Sequence, residues 1–160
     1  MPEIIHPAIS LQGQRFMHMI PLYTFLLSFL CPYCKQAGTF DLSVHVSNIK
    51  SASAPVRIAV YNNAGKFPSD NSYLLAKVFI PGKTGDAVFV VPGLEEGEYA
   101  VAIFQDLDNN SKLNTNFFGY PKEPFCFSNN VKPHFYAPSF RECKVALSKT
   151  EKDIYVKLID

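Results

Sequence analysis

From Gly38 onward the chain alternates apolar and polar positions with period two. Leu42, Val44 and Val46 interleave with Ser43, His45 and Ser47, and Val56, Ile58 and Val60 with Arg57, Ala59 and Tyr61. That spacing sends alternate side chains to opposite faces, so each run predicts a half-buried strand. Ala87-Val88-Phe89-Val90-Val91 is apolar throughout and predicts a central strand. Tyr99, Val101 and Ile103 make one face of another, with Ala100, Ala102 and Phe104 opposite. Val145 and Leu147, then Ile154, Val156 and Leu158, supply the last two. Turn-forming clusters separate these runs: Asn62-Asn63-Ala64-Gly65, Pro81-Gly82-Lys83-Thr84-Gly85, Pro92-Gly93 and Glu96-Gly97. Only Ser72 to Val78 admits a helix, and its Tyr73-Leu74-Leu75 serves equally to open a strand.

About seven strands over about 120 residues, with no amphipathic helix long enough for a βαβ crossover, predict an all-β, antiparallel β-sandwich. Leu94-Glu95-Glu96-Gly97-Glu98-Tyr99 adds detail, because Leu-x-x-Gly-x-Tyr leading into a strand is common in Ig-like and transthyretin-like sandwiches. There the Gly allows a tight corner and the Tyr hydroxyl can bond nearby backbone. The assignment is architectural, and residues 38–160 read as one domain.

Residues 1–37 follow a different pattern. Nineteen residues without a formal charge run from Phe16 to Cys34, which as a helix would span about 28 Å, close to a bilayer core. Pro21 and Pro32 cut the uninterrupted run to the ten residues from Leu22 to Cys31, a length that suits a signal peptide better than a span. Arg15 precedes it, while Ala37 and Gly38 follow. An export signal is the expectation, with a retained anchor over 16–34 and a buried core helix as the other readings. The product is then periplasmic or secreted. Cys31-Pro32-Tyr33-Cys34 matches the redox motif of glutaredoxins, but that chemistry needs a thiolate at a helix N-terminus after the first strand of a βαβ unit. No α/β alternation follows it, so a thiol oxidoreductase is the disfavoured alternative.

Charge narrows the class further. The chain carries 15 Lys+Arg against 14 Asp+Glu, a formal charge of +1. Without residues 1–37, which hold Arg15, Lys35 and Glu3, basic and acidic groups balance. Such a chain does not steer a polyanion at long range, so nucleic acid is not an expected partner.

The segment after the Tyr99 strand concentrates side-chain oxygens. Asp106, Asp108 and Asn110 at alternate positions, then Asn114, copy the first half of an EF-hand calcium loop, with Lys112 offering its backbone carbonyl. Three features weaken it: Ser111 stands where a sharp turn prefers Gly, Asn114 is neutral, and Phe117 stands where a bidentate Glu would close the site. Two carboxylates imply weak binding, with a Kd of about 10⁻⁴ to 10⁻³ M. The competing expectation is an Asx-turn loop whose side chains bond their own backbone.

From Tyr99 to Phe140 the chain resembles the bacterial secreted proteins grouped as domain of unknown function 2141. The resemblance is carried by Gly97-Glu98-Tyr99-Ala100-Val101, by Asp106-x-Asp108-x-Asn110 with Leu113 and Asn116, and by Phe118-Gly119-Tyr120-Pro121-Lys122-Glu123. Phe127-Ser128-Asn129-Asn130 and Pro138-Ser139-Phe140 complete it. It implies an envelope-directed β-sandwich and no particular activity. Against the family pattern, Gln105 replaces a His, Ser111 a Gly, Asn114 an Asp, Cys126 a Gly and Cys143 an Ala. The first three exchanges are expected to weaken metal binding. Cys126 and Cys143 would be the only thiols left after removal of residues 1–37, in an oxidising compartment. A disulfide between them would close an 18-residue loop and stabilise by about 3 kcal/mol on the chain-entropy model; two buried free thiols are the other reading.

Aromatic residues cluster in the same region. Phe117, Phe118, Tyr120, Phe125, Phe127, Phe135, Tyr136 and Phe140 are eight in 24 residues, interleaved with Pro121, Pro124, Pro133 and Pro138. Exposed, this long Phe/Pro-rich loop is a binding surface for an envelope protein, peptide or glycan; buried, it is a second small core. His45 and His134 stand apart in sequence and are expected as surface or hydrogen-bonded side chains. The sequence has no Gly-x-Ser-x-Gly elbow and no His-Glu-x-x-His. It also lacks the C-terminal Tyr-Arg-Gly-Ser of transthyretin-like hydrolases, the alternative enzyme reading, and runs Tyr155-Val156-Lys157-Leu158-Ile159-Asp160 instead. The expectation is a non-catalytic binding or structural module of the cell envelope. Calcium is its one candidate cofactor, and it meets a membrane only through an uncleaved N-terminal segment.

Overall fold

Eight strands carry the apolar alternation into two layers: β1 (Thr39–Ile49), β2 (Val56–Tyr61), β3 (Leu75–Phe79), β4 (Gly85–Glu95), β5 (Gly97–Gln105), β6 (Phe125–Phe127), β7 (Val145–Leu147) and β8 (Asp153–Lys157). Among the described residues, a 3₁₀ turn, Ser128–Asn130, and a four-residue helix α1, Phe140–Cys143, complete the elements. This computed structural model describes residues 38–65, 67–68, 72–134, 136–150 and 152–160. The expected export segment and the Cys31–Cys34 pair lie outside them.

One sheet has the order β4-β1-β8 and the other β3-β2-β5-β6, with β7 also beside β5. The fold is the expected all-β sandwich. One pairing departs from a wholly antiparallel arrangement: β8 lies parallel to β1, with Val44 opposite Ile154. The whole domain separates these two strands in sequence, and a parallel pair needs such a long return connection.

The period-two pattern builds the core. Leu42, Val44 and Val46, with Phe89, Val91, Ile154 and Val156 from the smaller sheet, cluster with Val56, Ile58, Val60, Val101 and Ile103 of the larger one. A second cluster gathers Tyr61, Phe67, Ala100 and Cys143, with Ala59, Ala102, Phe127 and Phe140 packed against it. Because β5 sends Val101 and Ile103 into one cluster and Ala100 and Ala102 into the other, the two lie on opposite faces of the larger sheet. The small alanines let α1 approach closely. Cys126 belongs to the first cluster and Cys143 to the second, so the expected bridge does not form and both are free, buried thiols. Burial pushes the Cys126 thiol far above its ordinary range. Burial, aided by the charge of Glu142, pushes that of Cys143 up to about 12.

Two local expectations change. The ambiguous Ser72–Val78 region becomes strand β3 at Leu75–Phe79, antiparallel to β2. Pro92-Gly93, expected as a turn, lies inside β4 as a β-bulge: Leu42 pairs with Val91 and Phe40 with Leu94, leaving Asp41 opposite both residues. Gly93 takes φ 77°, and its N–H donates to Asp41 Oδ1 at 3.2 Å.

Three sets of side chains fasten the connections between layers. The Tyr99 hydroxyl donates to the Glu95 carbonyl at 2.9 Å, the expected corner where the chain passes from β4 to β5. Gln105, fully buried, accepts from Lys50 N–H at 2.8 Å and donates to the Ser51 carbonyl at 2.7 Å, holding the β1–β2 crossover. In Phe127-Ser128-Asn129-Asn130, Ser128 Oγ accepts from Val101 N–H at 2.9 Å and donates to the Cys143 carbonyl. Asn129 donates to the Glu142 and Lys144 carbonyls at 3.1 and 3.0 Å, and Asn130 clamps Tyr155 and Lys157 of β8. That motif is structural.

Candidate functional site

The oxygen-rich segment leaves the end of β5 and returns into β6, so the larger sheet positions both ends of the loop. Asp106 has no exposed surface. Its Oδ1 accepts from Asn110 N–H at 3.0 Å, and its Oδ2 from Ser111 N–H at 2.9 Å and from Arg57 Nε at 2.8 Å. Arg57 projects from β2 and also donates to Ser111 Oγ at 2.7 Å. Burial alone would raise the Asp106 pKa. The Arg57 hydrogen bond, the two backbone N–H groups and the Arg57 charge outweigh it and hold the carboxyl below its ordinary value.

Asp108 is exposed and accepts from Asn110 N–H, Asn110 Nδ2 and Asn114 Nδ2 at 3.2, 2.9 and 2.7 Å. Asn110 Oδ1 accepts from Lys112 N–H at 2.8 Å, the Asx-turn geometry expected for this composition. Ser111 sits at φ 70°, which is why the turn prefers Gly there.

One residue of the site was not picked out as a ligand from the pattern. Glu123 is buried, and its two carboxylate oxygens accept from Leu107 N–H at 2.9 Å and Asn114 N–H at 3.0 Å. It ties the outgoing and returning arms of the loop together. Oxygens of Asp106, Asp108 and Glu123 lie within 4.8 Å of one another, a grouping that can hold a cation. Phe117, standing where an EF-hand would place its closing Glu, points to solvent instead, and Glu123 closes the cluster from six positions further on. Its signal was available in Gly119-Tyr120-Pro121-Lys122-Glu123, but the EF-hand spacing directs attention to position 117. Gln105 bonds Lys50, Ser51 and Ala54 rather than the cluster, so its exchange for His leaves the carboxylates untouched.

Beyond the cluster the arms close into a turn. Thr115 bridges Pro121, and Asn116 organises the tip: its Oδ1 accepts from Phe118 and Tyr120 N–H at 2.9 and 3.0 Å, and its carbonyl from Gly119 N–H at 2.9 Å. Gly119 takes φ 82° to complete the reversal. The aromatic residues divide. Phe117 and Phe118 stand 96% and 89% exposed at this tip, and Tyr136 is also exposed. Tyr120 packs edge-on against buried Phe125, while Phe127 and Phe140 join the second core cluster. Phe135 lies outside the described residues.

The two histidines sit elsewhere. His45, on β1, is 2.8 Å from Asp153 Oδ1 and stacks on Tyr155 at 4.3 Å beside an open groove on the smaller sheet. His134 is exposed.

Residues 44–155 match the family described as an uncharacterized protein conserved in bacteria (DUF2141). No curated protein and no solved structure matches the chain.

Proposed function

The chain belongs to the bacterial family of domain of unknown function 2141, and on that footing we propose that it is an exported, non-catalytic envelope module that binds through the loop 106–123. The observation that carries this reading is the pairing of a braced base with an apolar tip. Asp106 and Glu123 are buried carboxylates holding the loop's own N–H groups, and the tip they support presents Phe117 and Phe118 almost wholly to solvent. Ordering a binding loop in advance lowers the entropy lost on association, and two exposed aromatics offer large apolar area at that point. Export rests on the uncharged Phe16–Cys34 segment of the sequence. The non-catalytic reading draws support from three buried side chains that could act as nucleophiles: the thiols of Cys126 and Cys143 are held protonated by burial, and Ser128 Oγ is committed to backbone.

Calcium is the proposed loop cofactor. Asp106, Asp108 and Glu123 would supply carboxylate oxygens, and Asn110 and Asn114 amide oxygens after their side chains turn. Arg57 already neutralises part of Asp106, so affinity is weak, with a Kd of about 10⁻⁴ to 10⁻³ M. Thermal unfolding in millimolar Ca²⁺ against EDTA tests this: the parent gains stability with Ca²⁺ and Asp108→Ala does not. Identical curves for the parent in both conditions exclude the cation. The binding reading is tested by cosedimentation of the full chain with envelope fractions. Phe117→Ser/Phe118→Ser loses about tenfold or more in affinity, while a control pair on the smaller sheet, Val88→Ser/Val90→Ser, keeps it. Equal retention by both pairs contradicts the loop's role.

A further inference from the structure

We infer that the Phe117–Phe118 tip docks on a lipid bilayer surface bearing anionic headgroups. The inference rests on the reading of the loop as the binding element and names its partner. Phe117 and Phe118 pack against each other edge-to-face at 5.6 Å, so the pair presents one continuous apolar projection. They crown a convex turn, and a bilayer accepts a convex apolar projection without a matching cavity, whereas a protein partner has to supply one.

Three further features fit a bilayer. A loop seated at the headgroup boundary loses water from its backbone, and donors already bonded within the loop lower that cost. Asn116 does this for three consecutive residues, accepting from the N–H groups of Phe118, Gly119 and Tyr120. Charge is complementary as well. From Asn109 to Lys122 the only formally charged residues are Lys112 and Lys122, both exposed, one on each arm of the loop. The carboxylates of Asp108 and Glu123 keep their charge, but each lies further along its arm of the chain from Phe117 and Phe118 than that arm's lysine does, and Asp106 is paired with Arg57. Each lysine near an anionic surface strengthens binding about fivefold. Tyr120, part-exposed above Phe125, stands just behind the tip, where an amphipathic ring suits the headgroup level.

The chain contains no Trp, so Phe118→Trp places a single indole at the tip of the full-length protein. The probe is vesicles of phosphatidylcholine with phosphatidylglycerol, with and without brominated acyl chains, in millimolar Ca²⁺ and in EDTA. The reporter is specific to the tip, so attachment through the N-terminal apolar segment does not imitate it. The expected result is a blue shift on the phosphatidylglycerol vesicles and quenching by the brominated chains. Lys112→Gln/Lys122→Gln should weaken this at least tenfold, and pure phosphatidylcholine should behave likewise. Phe117→Trp gives a second reporter should the first disturb the turn. Emission that stays solvent-like and unquenched on those vesicles overturns the inference. If it then shifts with lipid-free envelope proteins, the partner is a protein and the loop reading survives. If it shifts with neither, both fall.

Discussion

Asp106 and Arg57 show how much a single residue carries here. A carboxylate without exposed surface persists only with compensation, and Arg57 with two backbone N–H groups provides it. Asp106→Ala leaves Arg57 facing a buried void and frees two amides, and is expected to cost about 3 kcal/mol in chemical denaturation. The pH dependence has a definite sign. The native pKa lies below the ordinary 3.8, so the stabilisation is complete above that value and is lost as pH falls through the lower native pKa. Acid unfolding of Asp106→Ala therefore lacks a component that the parent shows below about pH 4. The thiols make a second prediction at this scale. Peptide mapping after native treatment with iodoacetamide should find Cys126 and Cys143 unlabelled, and both labelled once the chain is unfolded. Linked peptides before reduction would contradict the separation of the two clusters.

At the scale of elements, the connections repay attention more than the strands. Gln105 holds the β1–β2 crossover with bonds to four backbone groups of three residues and has no exposed surface. Gln105→Ala should destabilise by about 2 kcal/mol with an unchanged denaturant slope, measured by urea unfolding. A loss under half that value would mean the crossover holds without it. The strands were legible because Leu42 to Val46 and Val56 to Val60 alternate cleanly, and Tyr99 signalled its own corner. Tyr73-Leu74-Leu75 was not, because a short apolar run fits helix and strand alike, and pairing with β2 decides it. Pro92-Gly93 misled for another reason: a Pro-Gly pair meets the needs of a bulge as well as those of a turn, and only the register against β1 separates them. The carboxylate half of the loop was visible in Asp106-x-Asp108-x-Asn110. Glu123 stood in the stretch that carries the family resemblance, but its place beside the other carboxylates follows from the Thr115–Pro121 closure, a tertiary fact with no fixed spacing. The Cys126–Cys143 pairing failed similarly, since sequence distance says nothing about which face of a sheet each residue occupies.

The domain as a whole is an electrically balanced sandwich whose core packing and connections are conventional, and whose distinctive chemistry lies in one excursion between β5 and β6. Asp106 at the start of that excursion and Glu123 on its returning arm both hold N–H groups of the outgoing arm, so the account requires an ordered loop presenting its two phenylalanines. Hydrogen exchange read by mass spectrometry over residues 107–122, in the parent and in Glu123→Gln, measures this directly. The account predicts protection across the arms and at the Phe118, Gly119 and Tyr120 amides in the parent. Exchange in this segment should become about tenfold or more faster in Glu123→Gln while β5 is unchanged, a local loss of about 1.4 kcal/mol. Parent exchange at the rate of an unstructured peptide, with no effect of the substitution, would contradict it.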